Sequence, residues 1–175
     1  IYNYKELRNE LELKGHIFNS NSDTEVLLKI YSEFRNSEEE LLQFHKKLNG
    51  VFAFAIWDKN LKRIIVSRDS FGVKPLYYIY ERNFFAFASE IKTLTHLFPF
   101  INKGNTISSP QINYAAINRY LTYLWCPGNS TPLVNIKKVS PGEFFIVDQN
   151  KNLNSFNWYN LPTRKSSNQS NGKGK

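Results

Sequence analysis

The apolar positions along the chain keep a helical period up to about residue 50 and lose it afterwards. From Asn3 to Lys14, Tyr4, Leu7, Leu11 and Leu13 recur near helical spacing and Gly15 follows as a stop, which predicts an amphipathic helix. A second helix opens at Ser22, where Glu25 three residues on completes a capping box, and carries Val26, Leu27, Ile30 and Phe34 on one side. A third begins at Ser37. Glu40 repeats the capping box, Glu38 and Glu39 lie in the first turn, and His45, Lys46 and Lys47 lie in the last, matching the helix dipole at both ends before Asn49 and Gly50 close it. VFAFAIWD, residues 51 to 58, then places apolar groups on both faces, as in a strand covered on both sides. KRIIVSRD, FGVKPLYYIY and FFAFASE repeat the theme, with short polar turns such as DKN and ERN between some of them. Short connections predict an antiparallel meander of four strands, because a parallel neighbour needs a crossover of about a dozen residues. Beyond the strands the pattern predicts a short helix from Ser89 to about Leu97 stopped near Pro99, and a polar loop to Gln111. A helix over NYAAINRYLTYL and a strand over EFFIVD, residues 143 to 148, follow, with linker or tail past Leu161. Helices first, a two-sided sheet second and more helix afterwards suggest a layered α+β domain.

Composition narrows the picture. The 175 residues are 41% apolar and 15% aromatic, enough for one domain with a sizeable core. No window reaches the roughly 20 apolar residues of a membrane helix, so no membrane partner is expected and the cytoplasm is the expected location. Cys126 is the one cysteine, which rules out an internal disulfide and a Cys-based zinc site. Half of the net charge of +8 comes from Arg164, Lys165, Lys173 and Lys175 in the terminal segment TRKSSNQSNGKGK. With no groove-reading helix and no aromatic RNA motif beside that charge, nucleic acid is not an expected partner. The chain contains no methionine and starts at Ile1, which reads as a piece of a longer polypeptide.

Several familiar chemistries find no support in the residues. The tail NGKGK lacks the spacing and the preceding strand of a phosphate loop. His16, His45 and His96 stand far apart without partners at metal-site spacing, and read as turn, helix-end or surface residues. Cys126, in LWCPGNS, has no neighbour that would lower a thiol pKa. The stretch SRDSFGVKPLYY is denser in special residues than a hairpin requires. Gly72 can supply backbone freedom, Pro75 can fix the entry to the next strand, and Arg68 with Asp69 can pair or bond the turn's amides, which leaves Lys74 the least explained.

The blocks LNGVFAFAIWDKN, RIIVSRDSFGVKPLYY and FFAFASEIKTL, in that order, resemble the sheet region of the class II glutamine amidotransferase domain of glutamine-hydrolysing asparagine synthetases. IYNYKELRNELELKGHIFNSNSDTEVLL is similar to the stretch that follows the family's Asn-Gly-Glu motif, and INRYLTYLWCPGNSTPLVNIKKVSPGEFFIVD to the end of the domain. The resemblance implies a partial domain over residues 1 to 160 and a basic linker or tail over 161 to 175. The implied fold is a four-layer αββα N-terminal nucleophile hydrolase sandwich of antiparallel sheets, incomplete at its N-terminus.

That family hydrolyses glutamine to glutamate and ammonia with an N-terminal Cys whose own amino group is the base, and with an Asn-Gly pair that holds the oxyanion. Both would stand upstream of Ile1, so no catalytic residue is assigned here and the chain alone is expected to be inactive. Asp23, in SNSDTEV, matches the family aspartate that binds the α-ammonium of glutamine. From the residues alone it reads rather as a first-turn acid complementing the helix dipole, and it is the resemblance that turns the reading toward glutamine binding. The implied partners are glutamine and the C-terminal synthetase domain of the parent chain, with room for a homodimer. ATP and Mg²⁺ would belong to that second domain, whose SGGxDS loop is not in this sequence, and no cofactor or metal is expected in this chain. Two alternatives stay open: a non-catalytic binding module that kept the sandwich, and another class II amidotransferase.

Overall fold

The computed structural model describes residues 1–81, 84–101 and 110–161. Its helical half follows the apolar period. Helix α1 (Tyr4–Leu13) buries Leu7 and Leu11, α2 (Asp23–Glu33) buries Val26, Leu27, Ile30 and Tyr31, and α3 (Glu38–Lys47) buries Leu41, Phe44 and His45. Leu13 falls off the apolar face and stands exposed. The two capping boxes form only half-way. Ser22 accepts from Thr24 N–H and Ser37 from Glu40 N–H, but the reciprocal acids reach past the cap. Glu25 accepts from Asn19 N–H and from the Ser20 N–H and hydroxyl, and Glu40 from Asn36 N–H, so each acid ties the approaching loop to its helix.

His45 corrects a second expectation. It is not a dipole-facing cation but a fully buried ring that stacks on Phe144 with centroids 4.1 Å apart. Its Nδ1 lies 2.7 Å from the Leu41 carbonyl, and burial pushes its pKa down to about 3, so it sits in the core as neutral imidazole.

The strands do not form one meander. β1 (Ala53–Asp58) and β2 (Arg63–Arg68) pair antiparallel, from Ala53 opposite Arg68 to Asp58 opposite Arg63. β3 (Tyr77–Glu81) and β4 (Phe84–Ala88) pair in a second sheet. Residues 69–76 carry the chain from one sheet to the other, so the Arg-Asp stretch is a crossing and not a hairpin. Beside β2 lies β6 (Glu143–Asp148), with Ile65 opposite Ile146. Short connections favoured sequential neighbours, but strands apolar on both faces accept any partner that covers them, and β6 fits from far along the chain. With β5 (Lys137–Lys138) and β7 (Leu153–Asn157), the sheet orders are β1-β2-β6-β7 and β4-β3-β5. β5 and β7 carried no apolar run to announce them; β7 is an edge strand of Asn, Ser and two large apolar residues.

Pro99 does not end the helical stretch after β4. α4 (Ile91–Thr95) is followed by α5 (Phe98–Ile101), where Pro99 sits in the first turn and its missing N–H costs nothing. α6 (Tyr114–Tyr123) matches its periodicity. Most of the expected polar loop before Gln111, the two central positions of the ERN turn and the tail beyond residue 161 lie outside the described residues.

Three apolar clusters stack the layers. α1 to α3 pack on the first sheet through Leu27, Ile30, Phe44, Ile56, Ile65 and Phe144. Between the sheets lie Val66, Leu76, Val139 and Phe145, with Tyr78 and Phe85 against them. Ile79, Leu94, Phe98 and Ile136 join the outer face of the second sheet to α4 and α5. This is the antiparallel α+β sandwich, helix on sheet on sheet on helix, that the resemblance implied.

Candidate functional site

A cleft of about 290 Å³ opens where five separate parts of the chain meet. Asp23 and Thr24, at the start of α2, form one wall, and residues 51–54, leading into β1, form the floor. Lys74 and Pro75 of the sheet-to-sheet crossing, with Ser89 after β4, close the other side, and Ile1 sits at the rim.

Asp23 is the first helical residue of α2, and Ser22 already caps the helix, so its carboxylate is free for another task. The Ile1 ammonium donates to Asp23 Oδ2 at 2.8 Å. That hydrogen bond holds the Asp23 carboxyl below its ordinary pKa, against the opposing effect of burial.

The loop after α3 delivers Ile1 to this place. Tyr2 N–H donates to the Asn49 carbonyl at 2.7 Å, Asn3 Nδ2 to the Lys47 carbonyl at 2.9 Å, and Asn49 N–H to Asn3 Oδ1 at 3.0 Å. Gly50 makes the approach possible, since a Cβ there would stand 3.0 Å from both Ile1 Cα and Tyr2 N.

On the opposite wall, the crossing is built by two charged side chains that bond backbone, Asp69 buried and Arg68 half-buried. Asp69, 1% exposed, accepts from the N–H groups of Phe71 at 3.1 Å, Val73 at 3.0 Å and Lys74 at 3.0 Å. Arg68 donates to the carbonyls of Lys74 at 2.7 Å, Val139 at 2.6 Å and Gly72 at 2.6 Å. Gly72 turns the chain at φ +63°, and a Cβ there would lie 2.9 Å from Pro141 Cγ. The Arg68 and Asp69 side chains thus bond the turn's carbonyls and amides respectively, and both backbone groups of Lys74 are clamped between them. This accounts for the residue types of SRDSFGVKPLYY and places Lys74 on the cleft wall.

The remaining candidates stand elsewhere. Cys126 is half-buried, with Sγ 3.8 Å from the Ala116 carbonyl, and does not line the cleft. His16 pairs with Glu33 at 2.8 Å, His45 is core, and His96 follows α4. Asp23 is therefore the one sequence-singled site residue that the fold brings to the cleft. Lys74, Thr24 and Ser89 join it without having been singled out for chemistry. Only Lys74 had left a signal, as the residue that turn geometry failed to explain.

A family model described as a glutamine amidotransferase domain matches residues 1–159. Glutamine-hydrolysing asparagine synthetase 1 of Bacillus subtilis (strain 168) is 44% identical over 147 residues, covering 84% of this chain and 21% of that protein. Putative glutamine-hydrolysing asparagine synthetase 2 of Methanocaldococcus jannaschii is 32% identical over 166 residues, covering 94% of this chain and 29% of that protein. The chain thus spans less than a third of the length of either relative. Among solved structures, glutamine phosphoribosylpyrophosphate amidotransferase from Bacillus subtilis, complexed with ADP and GMP, aligns with a TM-score of 0.56 at 22% identity. The alignment covers 90% of this chain and 27% of that one, and at that identity it speaks for the fold alone, the layered sandwich of antiparallel sheets described above. The family match over nearly the whole chain and the asparagine synthetase relatives agree, and this chain belongs to the glutamine amidotransferase domain family.

Proposed function

We propose that the chain is the glutamine-recognising part of the glutaminase domain of an asparagine synthetase, and that Asp23 holds the α-ammonium of glutamine. The observation that carries the reading is the place of Asp23, on the wall of a cleft and at the start of a helix that Ser22 already caps, in a chain of this family. A carboxylate facing an ammonium makes a charge-assisted hydrogen bond, and it prefers a free amino acid to an acylated one that lacks the charge. The parent protein would hydrolyse glutamine to glutamate and ammonia and pass the ammonia to an aspartate activated by ATP with Mg²⁺. That second half would fall to the synthetase domain, since the SGGxDS loop is not among these residues.

Among the described residues the cleft walls carry the hydroxyls of Thr24 and Ser89 but no thiol, and no described histidine stands there to activate either hydroxyl. The 175 residues alone are therefore expected to bind glutamine without releasing glutamate. The test is calorimetric titration of L-glutamine into the chain, alongside an assay of glutamate release. Binding that falls at least about tenfold in Asp23→Asn, the loss of one charge-assisted contact, supports the reading. Equal binding by the variant removes Asp23 from the site, and glutamate release by the chain alone removes the claim that it lacks a nucleophile.

A further inference from the structure

The helix-facing side of the first sheet carries a row of aromatic side chains with a gap in it. Phe54 of β1, Ser67 of β2, Phe144 of β6 and Phe156 of β7 stand opposite one another in register. Ile65 belongs to the helix-facing cluster and Val66 to the layer between the sheets, so strand alternation turns Ser67 toward the helices, with Phe54 and Phe144 on either side of it. The strands bearing those two phenylalanines are two interstrand spacings apart, roughly 9 to 10 Å, and the small serine between them leaves a slot. His45 of α3 fills it. Its ring lies 11° from parallel to Phe144 with centroids 4.1 Å apart, and 13° from parallel to Phe54 at 6.0 Å. Trp158, just past β7, stands beside the same ring at 5.8 Å.

Three polar atoms are left over around this slot. His45, Ser67 and Trp158 are all buried, yet His45 Nε2, Ser67 Oγ and Trp158 Nε1 have no hydrogen-bond partner among the described residues. Polar atoms taken from water without a partner are costly, and native interiors rarely leave them so. Their chemistry is complementary. The Leu41 carbonyl can only accept, so His45 Nδ1 carries the proton and Nε2 presents a bare lone pair; the indole N–H can only donate, and the hydroxyl can do either. None of the three is charged, which suits a small neutral molecule that both donates and accepts. We propose that the helix-facing core binds a single internal water, which donates to His45 Nε2, accepts from Trp158 Nε1 and shares a hydrogen bond with Ser67 Oγ. Three partners is the usual complement of a buried water. The site joins α3, β2 and the segment after β7. It lies behind the cleft floor, since Phe54, beside His45, and Phe52, stacked on Trp158 at 6.0 Å, both line the cleft.

The test reads the water on the wild-type chain in two ways. Crystallography is expected to show density within hydrogen-bond distance of all three atoms, and NMR a cross-relaxation signal between a long-lived water and the Trp158 indole N–H. Ser67→Val, which puts a methyl where the hydroxyl stood, is expected to extinguish the indole signal, and Ser67→Thr, which keeps a hydroxyl, to retain it. A direct hydrogen bond from Ser67 or Trp158 to His45 Nε2 with no water between them overturns the proposal. So does a wild-type indole N–H without a water signal, or a signal that survives in folded Ser67→Val. The two wild-type measurements decide the question even if neither variant folds.

Discussion

Asp69 shows how one side chain can set a loop. Its carboxylate satisfies three consecutive or near-consecutive backbone donors from a position 1% exposed, so Asp69→Ala leaves Phe71, Val73 and Lys74 N–H groups without their acceptor. We expect a loss of about 3 kcal/mol, typical for removing hydrogen bonds to a buried charge, read as a lower urea midpoint with an unchanged m-value. His45 makes a pH prediction of definite sign. Its folded pKa of about 3 lies below the ordinary value of 6.5, so above pH 6.5 the ring is neutral in both states and contributes no pH dependence. As pH falls from 6.5 toward 3, the unfolded chain takes up a proton that the folded one excludes, and stability falls with a limiting slope of about 1.4 kcal/mol per pH unit. Replacing the ring with an apolar one of similar size, His45→Phe, is expected to flatten that slope between pH 6 and 4 in urea melts, and an unaltered slope would count against a neutral core histidine. Sequence reasoning reached Asp23 through its family match and Asp69 as a bonder of turn amides. It misplaced His45, because a histidine in a last turn looks the same whether it faces solvent or a phenylalanine.

The joints between elements depend on polar groups more than the apolar pattern suggests. Tyr31 of α2 donates its hydroxyl to Asp58 Oδ2 at the end of β1 at 2.8 Å, while Asp58 Oδ1 accepts from Asn60 and Leu61 N–H in the turn to β2. Burial pushes the Tyr31 hydroxyl up to about 12, and burial opposes but does not overcome the donors that hold the Asp58 carboxyl low. Arg35 Nη1 adds a contact at 3.3 Å. One carboxylate thereby closes a hairpin and fastens a helix to it. Tyr31→Phe is expected to cost about 1 to 2 kcal/mol by thermal or urea melting, since it removes a donor from a buried charge without opening a cavity. The helices themselves were legible because each presents one apolar stripe to one layer. Their joints were not, because Tyr31 and Asp58 are 27 residues apart and nothing local marks them as partners.

The assembled molecule has a core in three parts, and the middle one holds the two sheets together. Phe145 of β6 lies in that layer, meeting Tyr78 of β3 edge-on with centroids 4.8 Å apart. Phe145→Ala is expected to cost about 3 to 5 kcal/mol and to weaken the coupling between sheets, seen as a lower and broader thermal transition. The cleft depends on the same coupling, since its Asp23 wall rests on the first sheet through α2 and its Lys74 wall hangs between the sheets. Length, period and end signals along the chain were enough to establish the helices, the existence of the main strands and, through the ordered motifs, the family, because those features are written in residues that are neighbours in sequence. Which strands share a sheet, that residues 69–76 cross between layers, and that Lys74 comes to face the cleft of Asp23 were settled when the layers packed. Strands apolar on both faces carry no local preference among partners, and residues far apart in sequence come to line one cleft only after distant segments have been brought together.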